Sequence, residues 1–421
     1  MTSGLDALRA LDRPIAFGHY GLVNDISGVT TWLHGLLAYL HAEGVPLVVR
    51  SHHIGAGIED SSLVGQLRTM GVAVELVQRG PSMEQDIRDT LDFLERHRPA
   101  MFLPQCLNEM YIAAGIAGAQ GLPWLLTMHS DDPDYWEIAR HTLPERCGGR
   151  LVCVSQHLAE RCRQEGLAAE PVVIPYGVEV PLDSAVFKAD PFTVIYSGRL
   201  VEEQKRFGLV VETMVHACRS DHRLRFKVLG QGPAEVEARR VVEEAGLNAR
   251  IHFLGRLDPG QVGQELLEGQ ALILMSDYEG LPVSMLEAMA AGVVPVVRAT
   301  ESGIPELVVE GATGILVGDD PIAAAGRIVQ LANDQVRWER CSQGARELIT
   351  KRYSNHSSYE QWVALIAGSA SLATWSGGPL VPKHIEVPPL GSRLAKGYRA
   401  IPVNDSISTR IGRLLGFFRQ S

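Results

Sequence analysis

Ala271-Leu272-Ile273-Leu274-Met275-Ser276-Asp277-Tyr278-Glu279-Gly280-Leu281-Pro282-Val283-Ser284-Met285-Leu286-Glu287-Ala288-Met289-Ala290 decides the fold of this chain. The apolar run Ala271–Met275 reads as a strand buried on both faces. A helical pattern follows it, with Pro282 as a favourable first-turn residue. Strand, short loop and helix in that order are one unit of an open α/β sheet, and such sheets bind ligands at the carboxyl ends of their strands. Glu279 falls in the loop and Glu287 on the helix. The helix start offers free N–H groups and the positive end of a dipole, which suit a phosphate. Two carboxylates beside an anion site fit a ligand that carries both phosphates and hydroxyls, such as a nucleotide sugar. Taken alone, the pair fits a solvated surface equally well.

The same alternation extends in both directions. Ile15–His19, Val45–Arg50, Val72–Val77, Met101–Pro104, Pro123–Met128, Leu151–Val154 and Val172–Ile174 read as one set of strands. Phe192–Tyr196, Arg225–Leu229, Arg250–Leu254, Ala271–Met275, Val293–Val297 and Gly314–Val317 read as a second. Helical patterns separate them, among them Val29–Glu43 and Met83–His97. Strands alternating with helices imply parallel sheets covered on both faces. The expected fold class is α/β, with two doubly wound, Rossmann-like halves facing a cleft. A chain of 421 residues exceeds what one core usually holds. The expected division is an N-terminal domain over 1–180, a linker over 181–191 and a C-terminal domain over 192–352. A helix over 353–368 is expected to cross back to the first half. Residues 369–421 complete the chain as a loose Pro/Gly/Ser-rich linker and a basic, apolar tail.

Composition narrows the classes further. Hydrophobic residues make up 46% and charged residues 21%, an ordinary soluble balance. A net charge of −10 argues against nucleic acid as a partner. The six cysteines form no C-x-x-C pair and read as small buried residues of a reducing, cytoplasmic compartment. The start of the chain, Met1 to Arg13, has no apolar signal core. Ile407, Ile411, Leu414, Leu415 and Phe418 can form one helical face edged by Arg410 and Arg413. That face suits a weak contact with the inner membrane surface, or packing against protein.

Two further segments bear on chemistry. Ser197-Gly198-Arg199-Leu200-Val201-Glu202-Glu203-Gln204-Lys205-Arg206 leaves the first strand of the second half. Its Arg199 supplies a planar fork and its Lys205 a point charge, a combination suited to a diphosphate. Asp25-Ile26-Ser27-Gly28-Val29-Thr30 leaves the first strand of the first half, where Gly28 allows close backbone approach. It is not G-x-G-x-x-G, which argues against a dinucleotide.

Together these segments resemble retaining glycosyltransferases of the two-domain GT-B fold, glycosyltransferase family 4, over most of residues 14–366. The most specific element is E-G-L-P-x-x-x-x-E-A at Glu279–Ala288. Ser197-Gly198-Arg199-Leu200 with Lys205 is similar to the family's phosphate motif. Ser302–Val308 with Gly311–Val317 is similar to its G-G-I-P-E-L-V…G-x-T-G-x-L-V segment. Val173–Val178 resembles I-P-N-G-V, and Thr127–Ser130 resembles T-x-H-D. Tyr176, Ser302 and Ser130 depart from the pattern, and Gly28 stands alone where the family often has two glycines.

The resemblance implies roles. Glu287 would accept hydrogen bonds from the donor's ribose, and Glu279 would bind the hydroxyls of its sugar. Arg199 and Lys205 would hold the diphosphate. Backbone at Gly28, Gly280, Leu281 and Val283 would add contacts, and Gly255-Arg256 would lie near the base. His129 would lie near the transferring sugar, as a candidate acid–base group. No metal or other cofactor is expected: no D-x-D motif is present, Asp131-Asp132-Pro133-Asp134 being the nearest imitation, and His52-His53 reads as structural. The expected activity is metal-independent, retaining sugar transfer from a nucleotide-sugar donor to a glycan, lipid-linked or small-molecule acceptor. The rivals are an epimerase or hydrolase of the same fold and a non-catalytic nucleotide-sugar-binding protein.

Overall fold

The computed structural model describes residues 2–21, 27–53, 62–143, 149–167, 169–395 and 397–398. The basic tail Ile407–Ser421, and Asp25 and Ile26 of the first-half loop, lie outside them.

Seven parallel strands form the first sheet: β1 (Ile15–Gly21), β2 (Leu47–His53), β3 (Ala73–Gln78), β4 (Met101–Pro104), β5 (Trp124–Met128), β6 (Gly149–Cys153) and β7 (Val172–Val173). Their order is β3-β2-β1-β4-β5-β6-β7. Six more form the second: β8 (Phe192–Ser197), β9 (Leu224–Leu229), β10 (Ile251–Gly255), β11 (Ala271–Leu274), β12 (Val294–Arg298) and β13 (Ile315–Val317), in the order β10-β9-β8-β11-β12-β13. Every pairing is parallel, as apolar runs such as Ala271–Leu274, buried at every position, require. Strand order reverses once in each sheet, between β1 and β4 and between β8 and β11. Each reversal opens a crevice at the strands' carboxyl ends.

The halves are joined by two strands of chain that bond to each other. Val178 donates to the Tyr353 carbonyl at 2.9 Å, and Asn355 donates to the Val178 carbonyl at 2.9 Å. A Cβ on Gly177 would lie 2.7 Å from Asn355 Cα, so the crossing tolerates no side chain there. Beyond the crossing, the helix Asn355–Ala370 packs on the N-terminal helix Thr2–Arg9, whose Leu8 is fully buried. The sequence, mixed and charged there, gave no expectation of that first helix. The interdomain segment 181–191 is strapped down by Arg346 of the helix Gln335–Arg352. Its guanidinium donates to the carbonyls of Pro181, Leu182 and Asp183.

One expectation needs correction. Residues 369–389, expected as a loose linker, lie packed along the first domain. Trp375, Leu380 and Ile385 are buried, followed by Leu394 and Tyr398. Glu95 accepts from the Leu380 and Val381 amides, and the Gly121 carbonyl accepts from the Thr374 and Trp375 amides. Glycine and proline prevent regular structure, but widely spaced large apolar residues still anchor the segment. No helix among the described residues is long and apolar enough to cross a membrane.

Candidate functional site

The second sheet's reversal point gathers the charged residues. The loop leaving β8 carries Arg199 and Lys205, and the loop leaving β11 carries Glu279, so the two loops face each other across the crevice. The Lys205 ammonium donates to the Glu279 carboxylate at 2.5 Å, and both side chains are largely buried. Arg199 is set by two contacts. The Tyr196 hydroxyl donates to its carbonyl at 2.7 Å, and its guanidinium donates to Gln204 Oε1 at 2.6 Å. Behind this loop lies Gly230-Gln231-Gly232, which follows β9. A Cβ on Gly230 would come within 1.9 Å of the Gly198 carbonyl oxygen, and one on Gly232 within 2.4 Å of the Leu200 oxygen. Glycine is required at both because backbone presses on backbone. That G-x-G after a strand is a signal sequence reading passed over.

The helix Val283–Ala290 starts beside the pair, with Pro282 as its cap rather than its first residue. Its first N–H groups have no partner within the helix. Glu287 is half-buried on it, and its carboxylate makes no hydrogen bond or ion pair to any described residue. Burial pushes its carboxyl up to about 7.

Two glycines bring the first domain against this site. A Cβ on Gly280 would lie 2.0 Å from the His129 carbonyl oxygen, and one on Gly28 would lie 2.9 Å from the Val283 side chain. Leu281 is buried in the same seam. Glu306, from the 3-10 turn Ile304–Glu306, accepts from the His157 amide at 2.9 Å and so caps a first-domain helix from the second domain. Gly255 turns the chain at φ +72° after β10, and its carbonyl accepts from the Gly230 amide at 2.8 Å. It and Arg256 therefore stand at the flank of the loop that leaves β8.

The His129 Nε2–H donates to Gln105 Oε1 at 2.7 Å, which leaves Nδ1 to accept from the Tyr176 hydroxyl at 2.6 Å. Burial, reinforced by His19, lowers its pKa to about 3. The ring is neutral and both of its nitrogens are engaged within the first domain, and its carbonyl and ring wall the cleft. Tyr176, a departure from the family pattern, is what completes this wiring. The Asp131–Asp134 run also serves structure. Asp131 accepts from Trp136 Nε1 at 2.8 Å and pairs with Arg161, while Asp132 caps the helix Pro133–Thr142.

Among the described residues, one group of metal-ligand type converges, His52, Asp86 and Glu109, with ligand atoms within 4.8 Å. Its acceptors are already served. Arg50 Nε donates to His52 Nε2 at 3.1 Å, Arg79 to Glu109 at 2.9 Å, and the Tyr398 hydroxyl to Asp86 at 2.5 Å. Two guanidinium groups supply the charge that a cation would bring, so the group is a structural network.

Residues 182–348 match the family model for glycosyl transferases group 1. A Salmonella typhimurium protein described as a putative colanic acid biosynthesis glycosyltransferase is 30% identical over 259 residues, covering 56% of this chain and 62% of that one. The matches span 44% to 62% of the length of the first three curated relatives. Among solved structures, Anabaena HepE in complex with UDP and glucose superposes with a TM-score of 0.70 at 16% identity, over 84% of this chain and 99% of that one. Sucrose-phosphate synthase from Thermosynechococcus elongatus gives 0.69 at 19% identity, over 86% and 100%. The two-sheet architecture is the GT-B fold.

Proposed function

We propose that this chain, whose residues 182–348 match the family model for glycosyl transferases group 1, moves a sugar from a nucleoside-diphosphate donor to an acceptor hydroxyl with retention at the anomeric carbon. The observation that carries this reading is the paired Lys205 and Glu279 at the reversal point, with the unpartnered Glu287 on the next helix. Two carboxylates and two cations around a helix start match the two polar parts of one ligand. Glu287 accepts from the ribose hydroxyls and Glu279 from those of the sugar. Lys205 turns from Glu279 towards the diphosphate when the donor arrives, joining Arg199 and the N–H groups of Val283 and its neighbours.

As the bond from the anomeric carbon to the diphosphate oxygen breaks, negative charge grows on the leaving phosphate. Fixed cations and helix-start dipoles in a closed cleft stabilise that charge most where water is scarce. This arrangement meets the charge with protein groups, so we propose transfer without a metal. The acceptor hydroxyl attacks from the face the diphosphate leaves, and its proton passes to the departing phosphate oxygen. His129, neutral and fully bonded, takes no part in that proton transfer. The description of the Salmonella relative as a putative colanic acid biosynthesis glycosyltransferase supports a growing glycan as acceptor.

The test is a panel of UDP-, GDP- and ADP-sugars incubated with and without glycan acceptors, read as diphosphate release and as product anomer by NMR. Acceptor-dependent release with retained configuration supports the proposal. Release or isomerisation without acceptor would assign the protein to the hydrolase or epimerase class, and binding without turnover to the sensors.

A further inference from the structure

We propose that Gln204 is a positioning residue of the donor site, which aims the Arg199 guanidinium and ties the Lys205 loop to the Glu279 loop; this rests on the donor-site reading above.

Four non-glycine residues among the described ones have left-handed backbones, and two of them flank Lys205: Gln204 at φ +75° and Arg206 at φ +47°. Such conformations disfavour side chains other than those of Asn, Asp and Gly, and they persist where the surroundings over-determine them. Both neighbours of Lys205 are over-determined through their side chains. Arg206 is paired with Asp319 and lies 3.5 Å from Asp277. Gln204 uses every polar group it has apart from its amide N–H. Its Oε1 accepts from Arg199 at 2.6 Å, its Nε2 donates to the Tyr278 carbonyl at 3.3 Å, and its own carbonyl accepts from the Asp277 amide at 2.8 Å. One residue thus joins Arg199, Lys205 and the two residues before Glu279.

The amide is suited to this task by its charge. A carboxylate at the same place would also orient Arg199, but would neutralise the guanidinium that the diphosphate needs. A neutral acceptor orients the fork and leaves its charge for the ligand.

Two variants of the full chain test this by calorimetric titration with whichever of UDP, GDP and ADP binds the wild type most tightly, and by thermal melting. Gln204→Gly removes the side chain but relaxes the left-handed backbone. The expected result is a diphosphate Kd raised fivefold or more, with a melting temperature equal to or above that of the wild type. Gln204→Glu keeps an acceptor for Arg199 and is expected to weaken binding more than glycine does. A glycine variant that binds within twofold of wild type overturns the proposal. So does one whose affinity falls only alongside its melting temperature, or a glutamate variant that binds as well as wild type. If the wild type binds none of the three diphosphates, the donor-site reading itself falls, and this proposal falls with it.

Discussion

The two domains present opposite chemistry at the same edge of the same kind of sheet. At the second sheet's reversal point the strand ends carry Arg199, Lys205 and Glu279, with Arg298 and Asp319 close by. At the first sheet's reversal point they carry His19 stacked on Tyr20, then Gln105 and Cys106, with His129 one strand further, and no Arg, Lys, Asp or Glu stands among them. The fold supplies a crevice in each half, and charge decides what each can hold. The charged crevice suits a diphosphate and the neutral one a sugar hydroxyl. Breaking that division is the most direct way to test it, and the largest effect is expected at its centre. Lys205→Ala should lower kcat by about 10²–10³-fold, the usual cost of removing one preorganised group from a developing oxyanion. Steady-state kinetics on the folded variant checks this, and a loss below tenfold would place the diphosphate elsewhere.

The seam between the crevices comes next. Gly280→Ala inserts a methyl 2.0 Å from the His129 carbonyl oxygen, a backbone atom that cannot swing aside. The halves must separate by the best part of an ångström or more, and misplacement on that scale costs about 10²-fold. We expect kcat/KM to fall accordingly while the melting temperature changes little. Gly28→Ala meets only the Val283 side chain and should do less harm. Equal, near-wild-type activity in both would show that the seam opens freely.

Glu287 tests whether the charged half keeps an unsatisfied group in reserve. Burial raises its carboxyl from 4.5 to about 7, so the folded protein holds that proton more tightly than the unfolded chain does. Its contribution to stability is therefore full below about pH 4.5, falls as pH rises to about 7, and is flat above. Glu287→Gln removes this dependence. The variant's stability advantage over wild type should grow between pH 5 and pH 7.5 to roughly 2 kcal/mol in chemical denaturation, while its donor KM rises. An advantage independent of pH would mean that the carboxylate is already solvated or paired.

How much of this was legible in the sequence follows the same division. In the second half, strand, loop, carboxylate and helix succeed one another between Ala271 and Ala290, so local pattern was enough to bring Glu279 and Glu287 to a strand end. The contacts that give the site its shape join distant residues. Gln204 meets Tyr278 only because β8 and β11 are neighbours, an order that periodicity does not encode. His129 is held by Tyr176 and Gln105, residues from other strand ends. The packing of Trp375, Leu380 and Tyr398 was hidden for another reason. Their spacing matches neither a helix nor a strand, so no periodic signal marks them as buried.

Tyr398 offers the smallest effect and sharpens the comparison most. The first domain does contain charge beside its reversal point, on Glu109 of the helix that leaves β4, but it is buried and satisfied within the protein. The Tyr398 hydroxyl donates to Asp86 Oδ2 at 2.5 Å and accepts from Arg79 Nε at 3.0 Å, and the guanidinium lies 4.1 Å from the tyrosine ring centre. Arg79 continues to Glu109, and Glu109 to His52. Tyr398→Phe keeps the ring and its stacking, but leaves Asp86 with the Gly80 amide as its remaining partner. A buried acceptor that loses one hydrogen bond costs about 1–2 kcal/mol, a drop of a few degrees in melting temperature. Affinity for the nucleoside diphosphate should not move, because none of these groups lies at the charged crevice. If Tyr398→Phe weakens diphosphate binding as well, the network in the first domain is coupled to the donor site, and the division of labour between the two halves does not hold.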